Sequence, residues 1–447
     1  MKKEIFIDKL CERAKIKGIE EYEVFFLSNL SLGVKVYEEK IENLTNNQNQ
    51  GVSFRCKVNG KMGYSYSESL NEEDIDFLID EAVSNGNCIE SDDEQFIYGE
   101  KHQYKKLNTY SKALDNLETK DIEEFLISME KYAKSLDSRI EKVSYCYFGL
   151  GSGEVIIKNS KGLNLSNQGN VAYTFISVVA KENDIIKTDS EFIVSRDFSK
   201  FDYQKIAEGA VRKAIAKLNV QKSNILPEKV IIENLAFSSL LGAMSNIFSA
   251  DAVQKGISLL KDKLNQKVAS SKFTLIDDPH LENGFGSASF DSEGVPTEYT
   301  EIIKGGILST YLYNLKTANK DKVKSTGHAS KGGYKGTIGI STYNLYVKSG
   351  EKTFDELVKE IGEGILITDF AGLHSGLNSI SGDFSLAGEG FLIKNGKIQN
   401  ALNQITVAGN FFQLLNDIEE VGNDLRFSLS DIGSPSIIVK GLKIAID

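Results

Sequence analysis

Apolar positions along the chain switch between a helical and a strand period. Phe6, Leu10 and Ala14 recur every four residues and Gly18 follows, which predicts an amphipathic helix over 4–17 with a glycine stop. Three alternating runs come next, with Tyr22, Val24 and Phe26 on one face of the first. Leu32, Val34 and Val36 share a face of the second, and Val52, Phe54, Cys56 and Val58 of the third. Asn59-Gly60 then predicts a tight hairpin into Met62–Tyr66, because both residues tolerate positive φ. The polar run Asn46–Gln50 reads as a loop. Ile75, Leu78, Ile79 and Ala82 form a helical stripe that starts near Asn71 and ends at Gly86.

The acidic run Glu90–Glu94 marks a first boundary. Thr119 predicts the N-cap of a helix carrying Ile122, Phe125, Leu126, Met129 and Ala133. Strands are expected at 139–149 and 154–158, then a turn at Asn159–Gly162 and further strands to 192. Ile206, Ala210, Val211, Ala214 and Leu218 make another helix, and the polar run Asn219–Asn224 marks a second boundary.

Beyond it the pattern gives a strand at 229–232 and a helix over 235–248, then mostly strand and turn. Gly305-Gly306 joins Ile302-Ile303 to Ile307-Leu308 as a hairpin, and Thr353 with Glu356 forms a capping box for a helix ending at Gly362 or Gly364. The fold class expected is α+β: an N-terminal helix and antiparallel-sheet region over 1–222, with a sub-boundary near 90–118. A strand- and hairpin-rich domain over 223–447 follows, dense enough in strands for a barrel-like shape.

With 447 residues, no covalent staple is needed to bury a core. The net charge of −11 and the absence of a lysine- or arginine-rich stripe argue against nucleic acid as a partner. Cys11, Cys56, Cys88 and Cys146 form no Cys-x-x-Cys pair and read as small buried hydrophobes in a reducing compartment. No segment has a secretory pattern or the ~18 apolar residues of a membrane span, so a cytoplasmic protein is expected.

The run Asp369–Gly396 stands apart. Gly372 and Gly376 flank His374 and Ser375, then come Asn378, Ser381, Gly382 and Asp383, and Asn395-Gly396 sets a hairpin between apolar runs. Four segments carry a resemblance: Phe290–Thr297, Lys324–Ala329, Gly372–Gly376 with Ser381–Ser385, and Val421–Asp424. In order and spacing they resemble the TldD/TldE (PmbA) family, on the TldE/PmbA side, over about half the chain.

That resemblance implies a cytosolic metallopeptidase of two chain types that cuts extended or unfolded peptides and matures modified ones. In the TldD type a His-Glu-x-x-x-His helix binds zinc. Here the corresponding positions are Leu241-Gly-Ala-Met-Ser-Asn246, and no cysteine follows Cys146. Leucine cannot ligate and glycine cannot act as a base. No metal is therefore expected in this chain, and zinc only in a TldD-type partner. The implied role is a non-zinc subunit pairing with a TldD-like chain or with itself. His328, His374, Ser375, Asn378, Ser381 and Asp383 are the candidates for peptide contact.

Other chemistry has less support. Asp277-Asp-Pro-His280 reads as a solvated turn. His374 beside Ser375, with Asp369 and Asp383 nearby, suggests a serine hydrolase, but the run is Gly-x-x-Ser-Gly rather than a nucleophile elbow. Gly149-x-Gly151-x-Gly153 and Gly388-x-Gly390 lack the spacing of phosphate loops. Lys331–Gly336 reads as a mobile loop over a cleft. A non-enzymatic homodimeric scaffold is the remaining alternative.

Overall fold

A computed structural model describes residues 1–90, 93–222 and 227–446. Ser91 and Asp92 of the acidic break, and Ser223 and Asn224 of the polar run, lie outside the described residues.

The N-terminal half is built on one antiparallel sheet. Its strands are β1 (Tyr22–Tyr37), β2 (Lys40–Val58), β3 (Lys61–Ser67), β4 (Ile140–Asn159), β5 (Asn164–Glu182) and β6 (Ile185–Ser195), in the order β3-β2-β1-β4-β5-β6. The two runs at Tyr22–Phe26 and Leu32–Val36 are parts of one strand, as are the runs expected at 139–149 and 154–158. Each end of the long sheet carries its own core. Helices Lys3–Ile16 and Asp74–Asn87 cover Val24, Phe54 and Cys56 at one end. Helices Thr119–Leu136 and Tyr203–Ala216 cover Val34, Phe148 and Ile176 at the other. Between the cores the middle of β1 is polar and uncovered, which interrupts the alternation without interrupting the ladder.

The polar run Asn46–Gln50 is not a loop. It pairs residue by residue with Leu32–Ser28 of β1, from Leu32↔Asn46 to Ser28↔Gln50. Its side chains are exposed because β3 pairs only from Val52 onward, leaving Lys40–Gln50 as an outer edge. Backbone hydrogen bonding, not side-chain burial, makes it strand.

The β1–β2 turn also has no sequence signature. Glu38 and Glu39 both take positive φ, 50° and 61°. The fully buried Glu130 carboxylate compensates, accepting the Glu38 and Glu39 amides at 3.0 and 2.8 Å and pairing with Lys134 at 2.8 Å. The helix at 119 is capped one residue earlier than expected, by Glu118 and Asp121 in a reciprocal box. The Asn59-Gly60, Gly305-Gly306 and Asn395-Gly396 turns all form, with positive φ at both residues.

The C-terminal half holds a nine-stranded sheet and a six-stranded sheet of short strands, the strand-rich region curling without closing. They share a large core in which the helix Asn234–Met244 buries Phe237, Leu240, Leu241 and Met244. No helix among the described residues is long and apolar enough to cross a membrane. Cys11, Cys56 and Cys146 are buried, but Cys88, at the end of the second helix, is exposed.

The two halves meet along β1, β2 and β4. A small apolar cluster there joins Phe25, Ile157 and Leu163 to Phe290 and Val295. The Lys331–Gly336 segment, expected to be a mobile loop, is a hairpin tip between Ala329–Lys331 and Ile338–Ile340 held against the N-terminal sheet. Tyr334 donates to Glu68 at 2.8 Å and Lys335 pairs with the same carboxylate at 2.6 Å. The Tyr334 ring fills the place a Cβ on Gly51 would take, at 2.4 Å, so the contact requires glycine there.

Candidate functional site

The glycine-rich stretch begins where the strand Gly364–Ala371 ends. Gly372, at φ 84°, turns the chain into one helical turn, Leu373–Gly376, whose Ser375 and Gly376 amides return to the Gly372 carbonyl at 3.0 and 2.7 Å. Leu373 and Leu377 pack on the core and anchor the turn from beneath. His374, Ser375 and Asn378 remain exposed above it. The turn lies beside the helix Asn234–Met244.

The following loop is ordered by its own side chains. Asn378 Oδ1 accepts the Ile380 and Ser381 amides at 2.9 and 3.1 Å, and the Gly382 amide returns to the Asn378 carbonyl at 2.8 Å. Ser381 donates to Asp383 Oδ2 at 2.8 Å, and Asn410 Nδ2 donates to Asp383 Oδ1 at 2.9 Å and to the Ser381 carbonyl at 2.8 Å. Those hydrogen bonds, Asn410 first and Ser381 second, hold the Asp383 carboxyl below its ordinary pKa. Asp383 is exposed and opens the strand Asp383–Lys394, which sits between Gly364–Ala371 and Ile405–Asn410. The result is a rigid polar surface with an anionic corner.

His374, Ser375, Asn378, Ser381 and Asp383 therefore share one loop, and His328 does not join them. His328 is fully buried, with Nε2 at 2.8 Å from Asp277 Oδ2, Nδ1 at 2.8 Å from Thr326 Oγ1 and its ring against Tyr343. Asp277 likewise is no part of a solvated turn. It is fully buried at the end of the strand Leu275–Asp277, and both its oxygens accept the Tyr343 amide at 3.0 Å. A carboxylate–histidine pair exists, but with His328 rather than the neighbouring His280, whose Nε2 meets Thr297 Oγ1 at 3.1 Å.

The loop does not form a catalytic triad. Ser375 Oγ donates to the Gly372 carbonyl at 3.3 Å, and the His374 ring has no hydrogen-bond partner among the described residues. At the positions matching the zinc motif, Leu241 and Met244 are core residues and Gly242 faces Ile432. Asn246 is exposed on the short helical segment Ser245–Phe248. Among the described residues, no three His, Cys, Asp or Glu side chains gather where they could hold a metal ion.

A second polar cluster lies under the hairpin tip at the junction of the two halves. Arg55 is buried, with Nε donating to Glu23 at 2.8 Å and Nη1 at 3.6 Å from Glu293, while both Nη atoms lack hydrogen bonds among the described residues. Burial opposes its charge, but Glu23, then Tyr64 and Glu293, outweigh that and hold Arg55 above its usual range. Lys331 reaches the same place, donating to Ser53 and lying 4.7 Å over the Phe25 ring. Burial first, and Arg55 next, lower its pKa to about 7.

An antiparallel sheet with a core at each end, followed by a strand-rich half bearing a rigid glycine-rich loop, is a recurrent architecture. The PmbA/TldA metallopeptidase domain 1 matches residues 22–86, the central domain 112–218 and the C-terminal domain 228–446. Metalloprotease PmbA of Escherichia coli O157:H7 is 30% identical over 71% of this chain and 68% of its own length. The Metalloprotease PmbA homolog of Haemophilus influenzae is 28% identical over 95% of this chain and 92% of its own.

A crystal structure from Thermotoga maritima, named for a suspected modulation of DNA gyrase, superposes with a TM-score of 0.92 at 30% identity, covering 99% of this chain and 100% of that one. TldE from Thermococcus kodakarensis shares the fold, with a TM-score of 0.90 at 22% identity, covering 98% of this chain and 100% of its own. The chain belongs to the PmbA/TldD metallopeptidase family.

Proposed function

We propose that this chain is the TldE-type, non-zinc subunit of a cytoplasmic peptidase, and that it presents extended or unfolded peptides to a TldD-like, zinc-bearing partner during proteolysis and peptide maturation. The observation that carries the reading is the pairing of two features. One is an exposed loop, ordered by Asn378 and Asn410, that presents His374, Ser375 and Asp383. The other is the neighbouring helix and the short helical segment after it, whose motif positions hold Leu241, Gly242 and Asn246 in place of ligands and base. These features support a chain that offers a surface for peptide and leaves hydrolysis to its partner, the division expected of a supporting subunit.

Extended chains are captured by adding a strand to a free sheet edge. The loop's own strand has neighbours on both sides and offers no edge. The outer side of Lys40–Gln50 does, and its polar side chains suit a sequence-tolerant contact made through the backbone. His374 and Asp383 then engage the peptide's polar groups, while Asn378 and Ser381 shape the loop and His328 supports the strand-rich half from within. Co-purification with a TldD-like chain, followed by peptide cleavage by the reconstituted pair, tests this. If the chain recovers only itself, the homodimeric scaffold replaces it.

A further inference from the structure

The junction of the two halves holds a recess of about 600 Å³ that is separate from the glycine-rich loop and from the free edge. One wall comes from β6 and the end of the helix Tyr203–Ala216, the other from the start of the helix Asn234–Met244 and the strands Gly364–Ala371 and Asp383–Lys394. Its volume is that of small-molecule sites, which favour such junctions.

The charges around it are unevenly matched. Lys217, almost buried, pairs with Asp189 at 2.7 Å and with Glu389; burial opposes its charge, but these carboxylates outweigh that and raise its pKa. Lys213 pairs with Glu191 at 2.9 Å, and Arg426 pairs with Glu191 from the far side while lying over Phe192. All three cations form their ion pairs with Asp189, Glu191 and Glu389. Arg212, also lining it, is exposed and forms no ion pair among the described residues.

Two carboxylates in the recess, Glu233 and Asp369, form no ion pair among the described residues, and Asp369 meets only the backbone of Phe370. Ile232 pairs in parallel with Ile367, and the Glu233 amide donates to the Ile367 carbonyl at 2.9 Å, so both acids emerge at the same end of neighbouring strands. Burial raises the pKa of each. Asp369 is exposed where it lines the recess. Phe354, Leu366 and Phe391 supply apolar wall beside them. Unpaired carboxylates held in a partly desolvated, aromatic-lined recess are complementary to a cation on an apolar stem.

We propose that this recess binds an organic cation, a primary ammonium or guanidinium on an aliphatic stem, with its head at Glu233 and Asp369 and its stem against Phe354 and Leu366. The same chemistry is offered by a free amine and by a basic side chain of a peptide. The proposal does not depend on the peptidase assembly, because the recess is formed within the single chain.

Calorimetric titration of the full chain with agmatine and with acetyl-Gly-Arg-Gly-amide tests it, with the citrulline peptide as the neutral control. The expected result is saturable binding of a cationic probe, no binding of the citrulline peptide, and about tenfold weaker binding in Glu233→Gln and in Asp369→Asn. Tighter binding of agmatine assigns the site to free amines, and tighter binding of the arginine peptide assigns it to basic side chains. Asp369 is solvent-reachable and its amide is isosteric, so that variant serves even if Glu233→Gln folds poorly. Gln399→Trp, which adds bulk to the recess and leaves both acids in the chain, is expected to abolish binding. The proposal is overturned if neither cationic probe binds at about 10 mM, or if binding survives Asp369→Asn and Gln399→Trp unchanged.

Discussion

His328 Nε2 lies 2.8 Å from Asp277 Oδ2, and neither residue has any exposed surface. Asp277 also takes the Tyr343 amide, so the pair ties the strand Leu275–Asp277 to the start of Leu345–Val347 through the middle of the C-terminal half. Removing one partner leaves a buried carboxylate short of a hydrogen bond. His328→Ala should therefore cost about 3 kcal/mol in urea unfolding. An unchanged midpoint would mean that the pair is not structural.

Lys331 gives the junction of the two halves a pH dependence. Burial depresses its pKa to about 7. A depressed folded-state value means that stability is fully present above the unfolded pKa and is lost as pH falls through the folded one. The wild type should gain stability between pH ~7 and ~10, by at most about 1.4 kcal/mol per pH unit. Lys331→Met should flatten that slope and be the more stable protein at pH ~6. Thermal melts across this range check it, and parallel curves for the two proteins would contradict it.

Asp431 has the opposite sign. Burial raises its carboxyl to about 6 against the pull of Arg196 and the Gly286 backbone, and its Oδ1 has no hydrogen-bond partner among the described residues. With a raised folded value, its contribution is present below the unfolded pKa and disappears as pH rises through about 6. Its φ of 58° suits asparagine. Asp431→Asn should stabilise the protein by about 1 kcal/mol at pH ~7.5, after allowance for partial solvent access, and by nothing near pH ~4. Equal gains at both pH values would show that the charge is not the cause.

The hairpins and amphipathic helices were legible because each is local: Asn59-Gly60 and Asn395-Gly396 carry their geometry in two residues, and the stripe Ile122–Ala133 carries its period. Asn46–Gln50 was not, because only Ser28–Leu32 opposite makes it a strand. The Glu38-Glu39 turn depends on Glu130, some ninety residues away. The candidate loop was visible through its glycines, but the burial of His328 was not. Its partner Asp277 is 51 residues distant, and the adjacent His280 offered a misleading local match. Glu233 and Asp369 gave no sequence signal as a pair, since two neighbouring strands bring them together.

The free edge can be mapped directly. Asn47 is exposed on the outer strand, and Cys88 is the exposed native thiol. A photo-crosslinker on Asn47→Cys in a Cys88→Ser background should capture an unfolded peptide, and the same group on exposed Glu12 of the first helix should not. Equal capture at both positions would remove strand addition at this edge from the account.

The central claim is that this chain supports hydrolysis carried out elsewhere. The most direct measurement is cleavage of an unfolded peptide by the chain alone, by a zinc-loaded TldD-like partner alone, and by the two together. The account predicts efficient cleavage only by the pair, abolished by EDTA and lowered about tenfold by His374→Ala with Asp383→Ala. Cleavage by this chain alone in EDTA, lost in Ser375→Ala, would contradict it and return the chemistry to the glycine-rich loop.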